Sequence, residues 1–173
     1  MTPKVILIGA PGSGKTTVGE ILAGTIGCPF ADSDQLVEIE HGQSVPDIFF
    51  NHGEPVFRGW EKTAISRALA SFDGVLSLGG GAVMNVNTVA ELQATQAPII
   101  WLEVSSSVAF RRAGLTAPRP LLVGNVRANL VALLKTRTPI YQSLATYRID
   151  ANTLDARQLA EQIANQITNG AKC

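Results

Sequence analysis

The chain has 173 residues, 46% of them hydrophobic and 16% charged, enough for one domain with a real core and too apolar for a disordered chain. Its 14 Lys and Arg balance 14 Asp and Glu, so overall charge gives no reason to expect a nucleic acid or a membrane surface as partner. Val5–Ile8 is too short for a signal-peptide core, no stretch approaches a membrane span, and Cys28 and Cys173 make neither a disulfide framework nor a metal-ligand spacing; a cytoplasmic protein with free thiols is expected.

Along the chain, short β-rich runs alternate with longer helical patterns. Lys4–Ile8 reads as a first strand, followed by a glycine-rich turn and a helix over Lys15–Ile26. A second strand is expected over Cys28–Ala31, then short helices over Gln35–Glu40 and Val45–Asn51 and a longer one over Glu54–Ser71. Gly74–Leu78, Pro98–Val104 and Thr146–Ile149 are the remaining strand candidates. Helices are expected over Asn87–Thr95, Ser106–Arg112, Val126–Ala145 and Asp155–Thr168. The strands are apolar without alternation, as in a parallel sheet buried on both faces. In the last helix Leu159, Ile163 and Ile167 recur at i, i+4 and i+8, one apolar stripe. The pattern implies a single α/β domain, its active site beyond the carboxyl ends of the strands.

The first turn, Gly9-Ala10-Pro11-Gly12-Ser13-Gly14-Lys15-Thr16, matches G-x-x-x-x-G-K-[ST] between a strand and a helix. Such a loop turns its backbone N–H groups inward onto phosphate oxygens. Lys15 reaches the β- and γ-phosphates in this motif, and the Thr16 hydroxyl takes Mg²⁺. A nucleoside triphosphate is therefore the expected ligand. No guanine-reading N-K-x-D is present, and the size is small for a motor, so a pocket for a second substrate is expected.

Asp32 and Asp34 follow the second strand. If the chain is still extended there, both carboxylates face the space above the sheet. One would orient water on a metal and the other accept a hydrogen bond from a substrate hydroxyl. The plainer alternative is that one of them only caps the next helix. Glu103, at the end of Trp101-Leu102-Glu103, is a rival on the metal side.

Arg58 and Glu61 stand at i and i+3 on a helical pattern and can pair there. With Phe49, Phe50, Phe57 and Trp60 crowding the region, a held Arg fork suits a substrate carboxylate. Gly79-Gly80-Gly81 ends the third strand, where missing side chains let a ligand approach the backbone. Arg111, Arg112 and Arg119 flank a stretch suited to a basic lid that closes over phosphates. Pro139 interrupts the long helical pattern after Arg137, as a kink or as a way to aim Arg137 into the site.

Taken in order, GAPGSGKTT, DSD, FRGWE, GGG, RPLL and RTPIY resemble the shikimate kinase family over nearly the whole chain. Only the first is specific alone; the set in this order and spacing is specific among small P-loop kinases. The resemblance implies a three-layer αβα P-loop kinase fold on a five-stranded parallel sheet, with a helical substrate-binding region near 33–61 and a lid near 113–124. It implies transfer of the ATP γ-phosphate to the 3-hydroxyl of shikimate, with ATP and Mg²⁺ bound and a monomer expected. Gly12, Ser13, Gly14, Lys15, Thr16 and Thr17 would hold the nucleotide, with Arg119 on the phosphates and Arg112 near the adenine. Thr16 and Asp32, the latter through water, would serve the metal. Asp34 would hold the shikimate hydroxyl. Arg58, fixed by Glu61, and Arg137 would clamp the carboxylate, Gly79–Gly81 would lie along the ring, and Phe49 and Phe57 would line the pocket. Lys15, Asp34 and Arg119 would be the catalytic set. Where many relatives carry a basic residue or a proline near the adenine, this chain reads Asn152-Thr153-Leu154-Asp155. A gluconate kinase is the nearest alternative, and a nucleotide-binding regulatory module the alternative of another class.

Overall fold

The computed structural model describes residues 2–113 and 126–170. Five parallel strands form one sheet in the order β2-β3-β1-β4-β5: β1 Val5–Ile8, β2 Phe30–Asp32, β3 Val75–Ser77, β4 Ile99–Glu103 and β5 Tyr147–Asp150. The helices are α1 Lys15–Ile26, α2 Ser33–His41, α3 Val45–His52, α4 Glu54–Ser71, α5 Val86–Ala94, α6 Ser106–Ala113, α7 Val126–Leu144 and α8 Ala156–Gly170, with a 3₁₀ turn at Ala82–Met84.

The apolar strands are buried on both faces. Val5 and Leu7 of β1 face one layer with Ile100, Leu102 and Ile149, against Val18 and Leu22 of α1 and Leu159 and Ile163 of α8. Ile6 and Ile8 face the other with Leu76 and Trp101, against Ile65 of α4, Leu92 of α5 and Tyr141 of α7. Period-two alternation along each strand thus builds two cores from continuous apolar runs. The Leu159, Ile163 and Ile167 stripe of α8 packs on the first core as its spacing predicts. A third cluster, Val37, Ile48, Phe57 and Ala64, joins α2, α3 and α4 beside the sheet.

Several expected boundaries move. The second strand is Phe30–Asp32 rather than Cys28–Ala31. Pro29 has no N–H to give a ladder, and its carbonyl instead accepts from Val75 N at 2.9 Å. Because α2 starts at Ser33, Asp34 lies in a helical first turn and not on extended chain. The α7 helix runs on through Pro139 to Leu144, so the proline ends nothing. Phe50 is 90% exposed and takes no part in the aromatic crowding around Arg58. Beyond residue 113, the proposed lid and Arg119 lie outside the described residues.

Candidate active site

The register places the motifs side by side. Ser77 of β3 pairs with Leu7 on one side and with Asp32 on the other. The P-loop, the two aspartates and the three glycines therefore leave neighbouring strand ends at one level, where ligands of parallel sheets bind. A cleft of about 820 Å³ opens there, lined by the P-loop from Pro11 to Thr17, by Asp32, Asp34 and Gly79, and farther along by Arg112, Leu154 and Asp155.

The P-loop geometry depends on glycine. Gly12 and Gly14 have φ of 79° and 88°, in the left-handed region that L side chains avoid. Gly14 is also the N-cap of α1 with no side-chain cap, so the first N–H groups of the helix are left for an anion. Lys15 is buried and its Nζ donates to the carbonyls of Gly9 at 2.8 Å and Ala10 at 3.0 Å and to Ser13 Oγ at 3.3 Å. Its charge is thus held at the loop by the backbone that forms the cradle.

Asp32 does two things at once. It is the N-cap of α2, with Oδ1 accepting from Asp34 N at 3.0 Å, while Oδ2 accepts from the Thr16 hydroxyl at 3.1 Å. The capping alternative and the P-loop partnership are both present in one side chain. Glu103, the rival, accepts from Arg148 Nε at 2.5 Å at the other end of the sheet order.

Asp34 Oδ1 and Glu61 Oε1 are buried without a hydrogen-bond partner among the described residues. Both lie against Gly79: a Cβ added there would meet Asp34 Oδ1 and would sit 2.6 Å from Glu61 Oε1. Burial pushes Asp34 up to about 6, helped by the Asp32 carboxylate and opposed by Lys15 and Arg58. Burial also pushes Glu61 up to about 7, with Arg58 pulling down and Asp34 pushing up. An unpartnered carboxylate beside a phosphate cradle is a site for a hydrogen-bond donor.

Arg58 supplies the opposite charge. Its Nη1 donates to Glu61 Oε2 at 2.6 Å and its Nε to Glu54 Oε1 at 3.2 Å. Burial works against its charge, yet Glu61 and Glu54 more than offset that and hold its pKa above the ordinary value. The guanidinium packs on Gly81, where a Cβ would sit 2.6 Å from Cζ. Phe57 is 2% exposed, beneath Arg58 at 5.2 Å from ring centroid to Cζ and 5.0 Å from the Phe49 ring. It is a packing support more than an open wall. Arg137 reaches the same corner from α7, its charge opposed by burial and by Arg58 and favoured by Tyr141 and Glu61.

Two residues around this site, Ser33 and Tyr141, were given no role from the sequence. Ser33 is fully buried and accepts from Gly79 N at 2.8 Å, tying β2 to β3 at the site. Tyr141 donates to the Gly80 carbonyl at 2.6 Å. Its i+4 spacing from Arg137 was the available signal. Leu154 and Asp155 line the far end of the cleft, and Asp155 caps α8 through reciprocal bonds with Gln158 at 3.0 and 2.9 Å. His41 stacks on Trp60 at 3.5 Å and 8°, and His52 lies 5.4 Å from the same ring, so both histidines serve packing.

A parallel sheet in this order, a P-loop after its first strand and an acceptor corner of opposed charges define a P-loop kinase of a small anionic molecule. The family model for shikimate kinase matches residues 11–168. A shikimate kinase of Thermobifida fusca is 46% identical over 95% of this chain and 95% of its own length. The chain belongs to the shikimate kinase family. A solved structure of the Acinetobacter baumannii shikimate kinase in complex with shikimate is similar over 100% of this chain and 96% of its own, with a TM-score of 0.93 and 33% identity. A gluconokinase from Sinorhizobium meliloti, at 19% identity and a TM-score of 0.65 over 99% of this chain and 94% of its own, shares the fold alone.

Proposed function

We propose that this chain transfers the γ-phosphoryl group of ATP to the 3-hydroxyl of shikimate, a step of aromatic amino-acid biosynthesis. The observation that carries the reading is the buried, unpartnered Asp34 Oδ1 held against Gly79, between the P-loop and the Arg58 corner. The shikimate carboxylate is met by Arg58 and Arg137, Asp34 accepts from the attacking hydroxyl, and Gly79–Gly81 leave room for the ring. The hydroxyl oxygen bonds to the γ-phosphorus as the bond to the β,γ-bridging oxygen breaks. Asp34 takes the proton and ADP leaves. Such a transfer asks the protein for position and charge more than for covalent chemistry.

Gly12, Ser13, Gly14, Lys15, Thr16 and Thr17 hold the phosphates, with Arg112 at the base end and Arg119 arriving on the phosphates. Thr16 and Asp32 are hard oxygen donors 3.1 Å apart beside Lys15, a set that suits Mg²⁺. Bound there, Mg²⁺ supplies neutralising charge for the β- and γ-phosphates. Every residue in this reading comes from one chain and one domain, so a monomer suffices, and the cytoplasm, where ATP is regenerated, is its place.

ADP release with Mg-ATP, measured with shikimate and with gluconate, tests the reading. Release is expected with shikimate only. Release with gluconate and not shikimate would make it a gluconate kinase, and none with either would leave a nucleotide-binding module.

A further inference from the structure

The acceptor corner holds two guanidinium groups of like charge, and they are supported unequally. Arg58 has Glu61 at 2.6 Å and Glu54 at 3.2 Å. Arg137 is pushed the other way by burial and by Arg58, and the neighbour that most favours its charge is Tyr141, one turn along α7. Two repelling arginines in a half-buried corner will not both point into it unless each is fastened.

Tyr141 is built for that task. It lies one turn after Arg137 on α7, so the two side chains share a face. It is 1% exposed, and its ring packs 6.2 Å from Trp101, which fixes where the hydroxyl can be. A phenol has one proton to give, and Tyr141 gives it to the Gly80 carbonyl at 2.6 Å. Its lone pair is then the face left for the Arg137 donor. Burial first of all pushes the phenol up to about 12, against the pull of Arg137, so it remains a donor across the working pH range. The neighbouring carbonyls are already engaged, Gly79 O by Ala82 N and Gly81 O by Met84 N, each at 3.0 Å. The Tyr141 bond therefore completes the anchoring of the glycine turn.

We infer that Tyr141 is a positioning residue of the acceptor pocket: its hydroxyl fastens Arg137 to the Gly80 carbonyl, so that the arginine and the glycine floor are held as one unit. The inference rests on the proposed acceptor role of that corner.

Tyr141→Phe keeps the ring and removes only the link. The expected result is a shikimate KM raised about tenfold with the ATP KM changed less than about twofold. In an Arg137→Ala background the same change should move the shikimate KM less than about twofold, because the fastened group is gone. Equal shifts in both KM values, no shift in the shikimate KM, or a full second tenfold in the Arg137→Ala background would each overturn the inference. A readout independent of substrate is the Arg137 guanidinium NMR signal of the ligand-free protein. It should be ordered in the wild type and averaged in Tyr141→Phe, and an unchanged signal also overturns the inference. Should the wild type leave shikimate untouched, the proposed function fails while the NMR comparison still decides the link.

Discussion

At the scale of single residues, opposed charges meet in the candidate site: Lys15 and Arg58 act on Asp34, and Arg58 pairs with Glu61. Asp34 has a buried oxygen with no donor among the described residues, which is costly in isolation and which the proposed reaction would satisfy with the substrate hydroxyl. Asp34→Asn is expected to fold and bind ATP with an unchanged ATP KM, while kcat falls about 10²- to 10⁴-fold, the usual worth of a positioned general base. A steady-state assay with near-normal kcat would remove Asp34 from that role. Arg58→Ala is expected to raise the shikimate KM about 30-fold or more with little change in the ATP KM, since it removes a desolvated charge partner. It also strands Glu61, which is 2% exposed, so the variant should lose about 3 kcal/mol of stability. Adding Glu61→Gln should recover part of that loss in urea unfolding. If Arg58 were only a surface ion-pair residue, neither the KM nor the stability would move by more than a small factor.

At the scale of elements, the start of α2 shows how one side chain can cap a helix and reach the P-loop together. Asp32 caps α2 through Oδ1 and meets Thr16 through Oδ2. Asparagine caps as well as aspartate, whereas alanine does not. Asp32→Asn should therefore keep the melting temperature and lose turnover, and Asp32→Ala should lose turnover and about 1 kcal/mol besides. Thermal melts of the two variants separate the roles; equal melting temperatures would mean that the cap contributes nothing. This double use explains what was legible locally. A polar residue before a helical run reads as a cap, and an acid near a P-loop reads as a metal-side group, but nothing in ADSDQ says that one carboxylate both caps the helix and meets the P-loop threonine. The start of α2 at Ser33 was hidden for the same reason, because the strand and helix meet without a loop between them.

At the scale of the whole molecule, folding places Asp34 in a desolvated corner, and stability should record it. The folded pKa of Asp34 is raised from 3.8 to about 6. The folded chain then binds more protons than the unfolded chain between these values, and that contribution is full below the lower value and is lost as pH rises through the upper one. Asp34→Asn removes the titration. Its stability relative to wild type should therefore rise between pH 5 and pH 8, by about 1–2 kcal/mol. Denaturant unfolding at the two pH values reads it, and a difference that shrinks toward pH 8 would mean that Asp34 is not held up by its surroundings.

The α/β class, the parallel sheet and the phosphate cradle were readable along the chain because each depends on near neighbours. Apolar runs make buried strands, an i, i+4 stripe makes the seated face of α8, and eight contiguous residues make the P-loop. The acceptor corner is of another kind. Asp34, Glu61, Gly79 and Arg137 lie far apart in the chain and meet only because β3 pairs between β1 and β2 and Tyr141 of α7 packs in the same core cluster as Leu76 of β3. Motif order suggested that they cooperate. That Asp34 and Glu61 share one glycine, that Ser33 ties β2 to β3 and that Tyr141 carries Arg137 to Gly80 depends on packing across the sheet, which local sequence does not encode.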